Sequence, residues 1–400
     1  MKINIKTLVE YVLLLLVIIQ CHSMFSQAAG GIDWLWLLVP LMVIHIILQL
    51  LDRPLTKSFV NSLFIFLGGY YFIQALLLVI NLGANINREF IGLNLLTMPL
   101  SIVLLSLQVY RGEWRTFLKR FNHIVAVMAT VSLFFWLFGS MLHILRPTGV
   151  VINQWADGAP ATHYSRLYFE TQKLTVLNTV ITRNTGIFVE GPIWNLILCL
   201  AFMIEFFLLE KIGKLRLVLF VVTIATVFST TGIYVVGISI IAYFFILREA
   251  RYKFLMIPLL TAVLYILSTA LEEKSATNSA SIRLDDYYAG WGAWRERWLS
   301  GWGERGLLRI QDHMNSMIRP NLGYSNSFFV VLAKGGILQG ITNIFPILVA
   351  IVWPKVERQI RVCALLLLLL LLTTIFNSTA LYCLAIAMCY AGAINLIRVK

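Results

Sequence analysis

"VCALLLLLLLLTTIFNS", residues 362–378, contains eight consecutive leucines and no charged group. Its length suits a helix crossing hydrocarbon, where every backbone N–H and C=O must find a partner within the segment. Working outward, comparable runs lie near 7–24, 33–51, 59–80, 90–110, 123–145, 192–209, 215–230, 232–247, 254–270, 326–353 and 380–397. The chain is 59% hydrophobic and only 13% charged, with a mean hydropathy of +0.83, whereas soluble domains carry about 25% charged residues. The pattern predicts an all-α, polytopic transmembrane helical bundle of about 12 spans, a single integral membrane domain over residues 1–400. The first run begins with lysines and ends in small residues like a signal peptide, but with so many spans following it reads as an uncleaved first span.

A net charge of +13 suggests nucleic acid in a soluble chain, yet in a membrane protein the distribution of charge matters more than its sum. Nucleic acid is therefore not an expected partner; the bilayer is. With the N-terminus in the cytoplasm, the short cytoplasmic segments collect 19 of the 32 basic residues, from Lys2 and Lys6 to Arg398 and Lys400. Most of the rest fall in two long loops, which translocate largely regardless of charge. Both termini are expected in the cytoplasm, with the loops 146–191 and 271–325 on the outer face. Loops that long usually carry function, and interfacial helices are expected in them. Cys21, Cys199, Cys363, Cys383 and Cys389 all lie in or beside apolar runs, with no spacing that would hold a metal or build a disulfide framework. No metal site or cofactor is expected.

Four stretches carry polar chemistry at the edges of spans. In "RNTGIFVEGPIWN", residues 183–195, Pro192 suits the first turn of a helix and Glu190 its positive end. Arg183 and Glu190 are then either a helix cap with its counter-ion or ligand-binding groups at the mouth of the span. In "FSTTGIYVVGISII", residues 228–241, Ser229 and Thr230 make a tight turn that is either a plain hairpin or the polar floor of a cavity. In "SIRLDDYYAGWGAWRERWLSGWGERG", residues 281–306, Tyr287, Trp291, Trp294 and Trp298 recur at helical spacing and suit a helix at headgroup level. Arg283, ahead of that stripe, presents the planar fork that matches phosphate oxygens, and the aromatic faces suit sugar rings. In "NLGYSNSFFVVLAKGGILQG", residues 321–340, Asn326 enters a span and Lys334 lies about 12 Å deeper on the same face. A lysine at that depth either snorkels or serves a function. Glu205, near the cytoplasmic end of its span, reads as a snorkelling or paired group, and His45 and His143 as structural.

Taken in order, "RNTGIFVEGP", "STTG", the arginine–tryptophan loop ending in "SGWGERG" and "GYSNSFFVVLAKGGI" resemble the O-antigen ligase and polymerase superfamily, and among its members the Wzy-type polymerases of O-antigen and capsular polysaccharide. The resemblance covers roughly residues 180–345; the first five spans match only in hydropathy. It implies a metal-independent glycosyltransferase on the outer face, whose donor is a glycan on undecaprenyl diphosphate and whose acceptor is a second lipid-linked oligosaccharide. A chain-length regulator and a flippase are the protein partners it implies. Arg283 matches the arginine that opens the family's large-loop motif, a diphosphate ligand. The "STTG" turn lacks the arginine common in ligases, a charge that Arg183 or Lys334 could supply. Ser325-Asn326-Ser327 lacks the histidine that ligases place before the asparagine, which leaves Glu190 as the candidate base or orienting acid, with His163 and His313 behind it. The expected set is thus Arg283 and Glu190 as catalytic groups, with Arg183, Asn326, Lys334, Ser229, Thr230 and Trp294 as substrate contacts. The rival readings are a ligase that differs only in its acceptor, a transporter of lipid-linked oligosaccharides, and a scaffold for cell-wall or division enzymes. A transporter predicts repeated halves, which the sequence does not display.

Overall fold

A computed structural model describes residues 4–28, 31–81, 88–176, 179–244, 278–319 and 322–397. Every predicted span within these residues falls on a helix; the one expected at 254–270 lies outside them, and 232–247 is described only to 244. Among the described residues, six helices are long and apolar enough to cross a membrane: Leu35–Asp52, Lys57–Ile80, Ile91–Tyr110, Trp114–Met141, Gly191–Leu208 and Ser327–Val352. The chain divides into two compact units, each discontinuous in sequence. The first comprises Met1–His45 and Gly112–Ser239, the second Ile46–Arg111 and Ile240–Lys400.

In the first unit, the helices Ile5–Gln20, Trp114–Met141, Gly191–Leu208 and Lys214–Val227 pack together. Their charged ends are paired rather than snorkelling. Lys6 Nζ lies 2.7 Å from Glu113, and Arg120 pairs with the buried Glu10, which also faces His45 Nε2 at 3.5 Å. Glu205 is fully buried and accepts from both arms of Arg216 at 3.0 Å, from Asn122 Nδ2 at 2.9 Å and from the Gly213 N–H at 2.6 Å. A buried carboxylate is tolerable when its oxygens are this fully bonded, and the cluster locks the connection after Leu208.

The first long loop departs from expectation: it folds as β-structure rather than an interfacial helix. Strands β1 (Gly149–Asn153), β2 (Ala159–Tyr164) and β3 (Tyr168–Glu170) form an antiparallel sheet, and β4 (Lys173–Val176) pairs antiparallel with β5 (Thr179–Thr182). The segments are short and rich in Val, Ile, Thr, Tyr and Phe, which suit a pleated, half-buried surface. Asp157-Gly158 and Ser165-Arg166 supply the positive φ angles of the β1–β2 and β2–β3 connections. Glu170 fixes the sheet to the end of the Trp114–Met141 helix, accepting from Ser140 Oγ at 2.7 Å, Tyr164 OH at 3.0 Å and Thr162 Oγ1 at 2.9 Å. Burial and the adjacent Glu170 carboxylate push the Tyr164 phenol up to about 12.

In the second unit, the helices Lys57–Ile80, Ile91–Tyr110, Ser327–Asn343, Arg358–Thr373 and Ala380–Ile397 carry the long loop 278–319 on one end. That loop holds the helices Asn278–Glu296 and Gly306–Asp312, as expected of an interfacial element. Its tip enters a break in the Ser327–Asn343 helix. Gly336 has φ 59° and ψ −155°, a conformation essentially closed to other residues. The donors released by the break are taken up by the loop: Ile337 N–H donates to Trp298 O at 2.8 Å and Leu338 N–H to Leu299 O at 3.2 Å. In return Trp302 N–H donates to Ala333 O at 2.8 Å. Gly301, also at positive φ, packs its Cα directly on the Lys334–Gly335 peptide, where a Cβ would lie 2.5 Å from the Lys334 carbonyl carbon.

Gly336→Ala adds a strained backbone conformation of about 1–3 kcal/mol and drives a Cβ into the Leu299 carbonyl. The expected outcome is a lower unfolding midpoint for detergent-purified protein, whereas Gly68→Ala, at a position with open space around it, leaves the midpoint within a degree or so or raises it.

Candidate functional site

The candidate residues fall in two sets, one in each unit. In the first unit the "RNTG" segment caps the Lys214–Val227 helix. Such an end leaves carbonyls without intrahelical partners; Arg183 Nε donates to Val227 O at 2.9 Å, and the Asn184 N–H donates to Thr226 O at 3.1 Å. Asn184 Nδ2 adds a bond to Thr226 Oγ1 at 3.0 Å. A guanidinium there also favours the negative end of the helix dipole. Arg183 Nη1 donates to Gln172 Oε1 at 3.1 Å, and the same oxygen accepts the Gly191 N–H at 3.0 Å. The guanidinium lies flat on Gly191, where a Cβ would come within 2.8 Å of Arg183 Cζ. Arg183 therefore ties the start of one span to the end of another.

Pro192 stands in the first turn of the Gly191–Met203 helix, as the sequence predicts, and Glu190 occupies the N-cap position. The Glu190 side chain makes no capping hydrogen bond; Gln172, which sequence reasoning missed, takes the Gly191 N–H instead. Phe228 adopts a left-handed conformation and ends the Lys214–Val227 helix, and Ser229 O accepts the Gly232 N–H at 3.1 Å to open the next one. Ser229 is buried and Thr230 half-buried in this turn. Through Val227, Arg183 buttresses the turn that holds Ser229 and Thr230. His163, held at Nδ1 by Thr148 Oγ1 at 3.1 Å, belongs to the β-sheet.

In the second unit, the decisive group is one the sequence reading passed over. Arg319 is buried and bonds both acids of "RLDD": its Nη1 lies 3.0 Å from Asp285 Oδ2 and 2.7 Å from Asp286 Oδ1, while Nη2 donates to Gly323 O. Asp286 also accepts from Ser325 Oγ at 2.5 Å and Ser325 N–H at 3.2 Å, and Asp285 from the Asn315 N–H at 3.2 Å. Burial raises the Asp286 carboxyl above the usual range against the opposing pull of Ser325 and Arg319. Burial would lower the Arg319 guanidinium, but its bonds to Asp286 and Asp285 outweigh that and raise it. The signal for this cluster was the acidic doublet itself, since two adjacent buried carboxylates demand a cation.

With both acids committed to Arg319, Arg283 makes no hydrogen bond or ion pair to another described residue and stays half-exposed. Its charge acts on the neighbouring Tyr287. The aromatic stripe is rotated from the predicted one. Tyr287 turns inward, donating to Leu372 O at 2.9 Å and meeting Phe329 edge-on, while Leu284, Tyr288, Trp291 and Trp298 form the exposed face. Ala289 and Ala293 face the core against Val330 and Ala333; small residues there let two helices approach closely. Trp294 is half-buried, edge-on to Trp291, and donates from Nε1 to Trp298 O at 3.0 Å. His313 pairs with Glu296 at 3.0 Å.

Asn326 is the N-cap of the Ser327–Asn343 helix, its Oδ1 accepting the Phe329 N–H at 3.1 Å. Lys334 does not snorkel. Its Nζ lies 3.3 Å from Glu304 and 3.7 Å from Glu89, two partners the sequence reading did not name, although Glu304 was visible in "SGWGERG". The carboxylates leave Lys334 a poor source of spare positive charge.

Removing Arg319 leaves Asp285 and Asp286 as uncompensated buried carboxylates, a loss of about 3–5 kcal/mol. Arg319→Ala is thus expected to yield little folded protein, while Arg283→Ala unfolds at the wild-type midpoint; thermal scans of the two purified variants check this directly.

No curated protein and no solved structure shows significant similarity to the chain. The family model Wzy_C, described as O-antigen ligase, matches residues 215–344, less than half of the chain. That stretch runs from the Lys214–Val227 helix through the arginine–tryptophan loop to the end of the broken helix, and the match supports the O-antigen ligase/polymerase superfamily and a membrane-bound, glycan-processing enzyme, without distinguishing polymerase from ligase.

Proposed function

We propose that the protein is a polysaccharide polymerase that joins undecaprenyl-diphosphate-linked repeat units on the outer face of the bacterial inner membrane. The observation that carries the reading is the Arg283 guanidinium, left uncommitted because Arg319 absorbs the acids beside it. A sugar hydroxyl of the acceptor attacks the anomeric carbon of the donor; the glycosidic oxygen–carbon bond forms as the bond to the lipid diphosphate breaks, with inversion. Negative charge grows on the departing diphosphate, and a fixed guanidinium lowers the barrier most where charge develops during the step. Glu190 is assigned the hydroxyl proton. Arg183, whose Nε and Nη1 hold the helix end, is assigned to shaping the "STTG" turn, with Ser229 and Thr230 as hydroxyl contacts. Trp294 offers a face for a sugar ring.

Polymerase is preferred to ligase because the residue before Asn326 is Ser325, whose hydroxyl is spent on Asp286 and cannot act as the missing histidine would. The description of the matching family model favours the second reading, transfer of finished glycan by a ligase.

Deletion of the gene is expected to leave single repeat units on lipid carrier, seen by gel analysis of surface glycan. Long unattached chains would instead establish the ligase, and repeat units held on the cytoplasmic side a transporter. Arg283→Ala, expressed at wild-type level, is expected to lower polymer formation by about 10²–10³-fold, the scale for losing one preorganised charge-stabilising donor. Normal polymer from that variant would remove Arg283 from the chemistry.

A further inference from the structure

The Asn278–Glu296 helix turns its small residues inward and its large apolar ones outward. Ala289 and Ala293 are fully buried, whereas Leu284 is 57% exposed, Tyr288 70%, Trp291 49% and, just past the helix end, Trp298 55%. At about 100° per residue these four fall in a sector of roughly 80°, and Arg295 falls in the same sector. Large apolar side chains gathered on one exposed face mark an interaction surface.

The level of the helix and the charge beside the face identify what covers it. Tyr287 OH donates at 2.9 Å to Leu372 O, in the last turn of the apolar helix Arg358–Thr373. Tyr324 OH, two residues before the N-cap Asn326 of the Ser327–Asn343 helix, donates to Asp286 O at 2.9 Å. The Asn278–Glu296 helix therefore lies beside the ends of two apolar helices, at the level where hydrocarbon gives way to headgroups and where Trp and Tyr concentrate. The acids of the helix are turned away from the face. Asp285 and Asp286 are bonded to Arg319, and Glu296, about 120° round the helix from Leu284, meets His313 at 3.0 Å. The bases remain available: Arg283 and Arg295 make no hydrogen bond or ion pair to another described residue, and Arg297 only stacks on Trp302 at 5.1 Å. An apolar aromatic face flanked by open arginines complements a lipid surface that carries phosphate. Leu284, at the centre of the sector, suits acyl chain and offers a sugar hydroxyl no partner.

We propose that the second loop is seated on the outer leaflet through Leu284, Tyr288, Trp291 and Trp298, with Arg295 against phospholipid phosphate. The proposal deepens the functional reading above and rests on its placement of this loop outside. Arg283 lies about 100° round the helix from Leu284, at the border of the seated face. Seating the face thus holds that guanidinium at phosphate depth, the level of the diphosphate on a lipid-linked donor.

The test uses full-length protein in nanodiscs of phosphatidylethanolamine and phosphatidylglycerol, with a nitroxide attached at Leu284→Cys or, separately, at Tyr288→Cys. The native cysteines are buried or half-buried, and wild-type protein treated alike gives their background. Power-saturation EPR compares collisions with oxygen, which concentrates in hydrocarbon, and with a neutral nickel chelate, which stays in water. At both positions oxygen accessibility is expected to exceed nickel accessibility at least threefold. Tyr288→Glu places a carboxylate on the face with a residue that favours helix, at a side chain without a hydrogen bond or ring contact to another described residue. Its unfolding midpoint in detergent is expected to match wild type, while nickel accessibility at the Leu284→Cys label rises at least threefold. Arg295→Gln is expected to raise it about twofold. Labels as open to nickel as to oxygen overturn the proposal, as does a Tyr288→Glu or Arg295→Gln variant whose label stays shielded. Labels that become shielded only when polysaccharide from the same strain is added overturn it too, and give the face to glycan. Shielded labels with normal polymer from Arg283→Ala sink the polymerase assignment alone. Open labels with polymer lost in Arg283→Ala sink the seating alone.

Discussion

The second unit depends on a helix that is broken on purpose. At Gly336 the Ser327–Asn343 helix gives up its own ladder, and the arginine–tryptophan loop replaces the lost bonds with three of its own, from Trp298, Leu299 and Trp302. Backbone polar groups within a membrane-spanning segment must be paired, and irregular backbone at that depth survives only where protein covers it. The exchange is mutual, because Trp302 N–H also needs Ala333 O. Neither element is complete without the other. It explains why "SGWGERG" and "KGG" both hold glycines: Gly301, Gly306 and Gly336 bring two backbones closer than any Cβ allows.

From this clamp the rest of the unit is placed. The loop is anchored a second time by Arg319 between Asp285 and Asp286, with Ser325 joining the cluster to the residue before the helix N-cap. Between these two anchors the Asn278–Glu296 helix is held with its alanines inward and its aromatic residues outward. Arg283 stands one turn ahead of the anchored acids, fixed by its helix yet free at its guanidinium. Lys334, next to the break, is turned toward Glu89 and Glu304 rather than toward the bilayer. The first unit uses the same device in a milder form, with Arg183 and Asn184 completing the open end of the Lys214–Val227 helix.

Hydropathy and charge along the chain suffice for much of this. Every described span was legible, because a helix in lipid must pair its backbone internally and so announces itself as a continuous apolar run. Pro192 at a helix start was legible for a local reason too, the spare N–H of the first turn. The candidate site was legible in part. Arg283 stood out by residue type and position, but the carboxylate partners of Lys334 were not named and Arg319 was passed over. Their partners lie 30 or more residues away along the chain, and spacing says nothing about such pairs. The aromatic stripe was read from periodicity alone, which fixes which residues share a face but not which face turns inward. Tyr287 turned inward because Leu372 O and Phe329 wait there.

By itself the sequence determined that this is a membrane protein, where its described spans run, and which ordered motifs resemble the O-antigen ligase and polymerase superfamily, because burial in lipid and local helix geometry are written in consecutive residues. Only the tertiary structure decided that the first long loop is a β-sheet, that the broken helix is mended by a loop, that Arg319 rather than Arg283 neutralises the acidic doublet, and that Lys334 sits between two carboxylates. Those outcomes rest on hydrogen bonds and ion pairs between segments far apart in the chain. Which partner each polar group finds is settled only when packing brings the segments together and leaves a buried charge or amide one way to be paired.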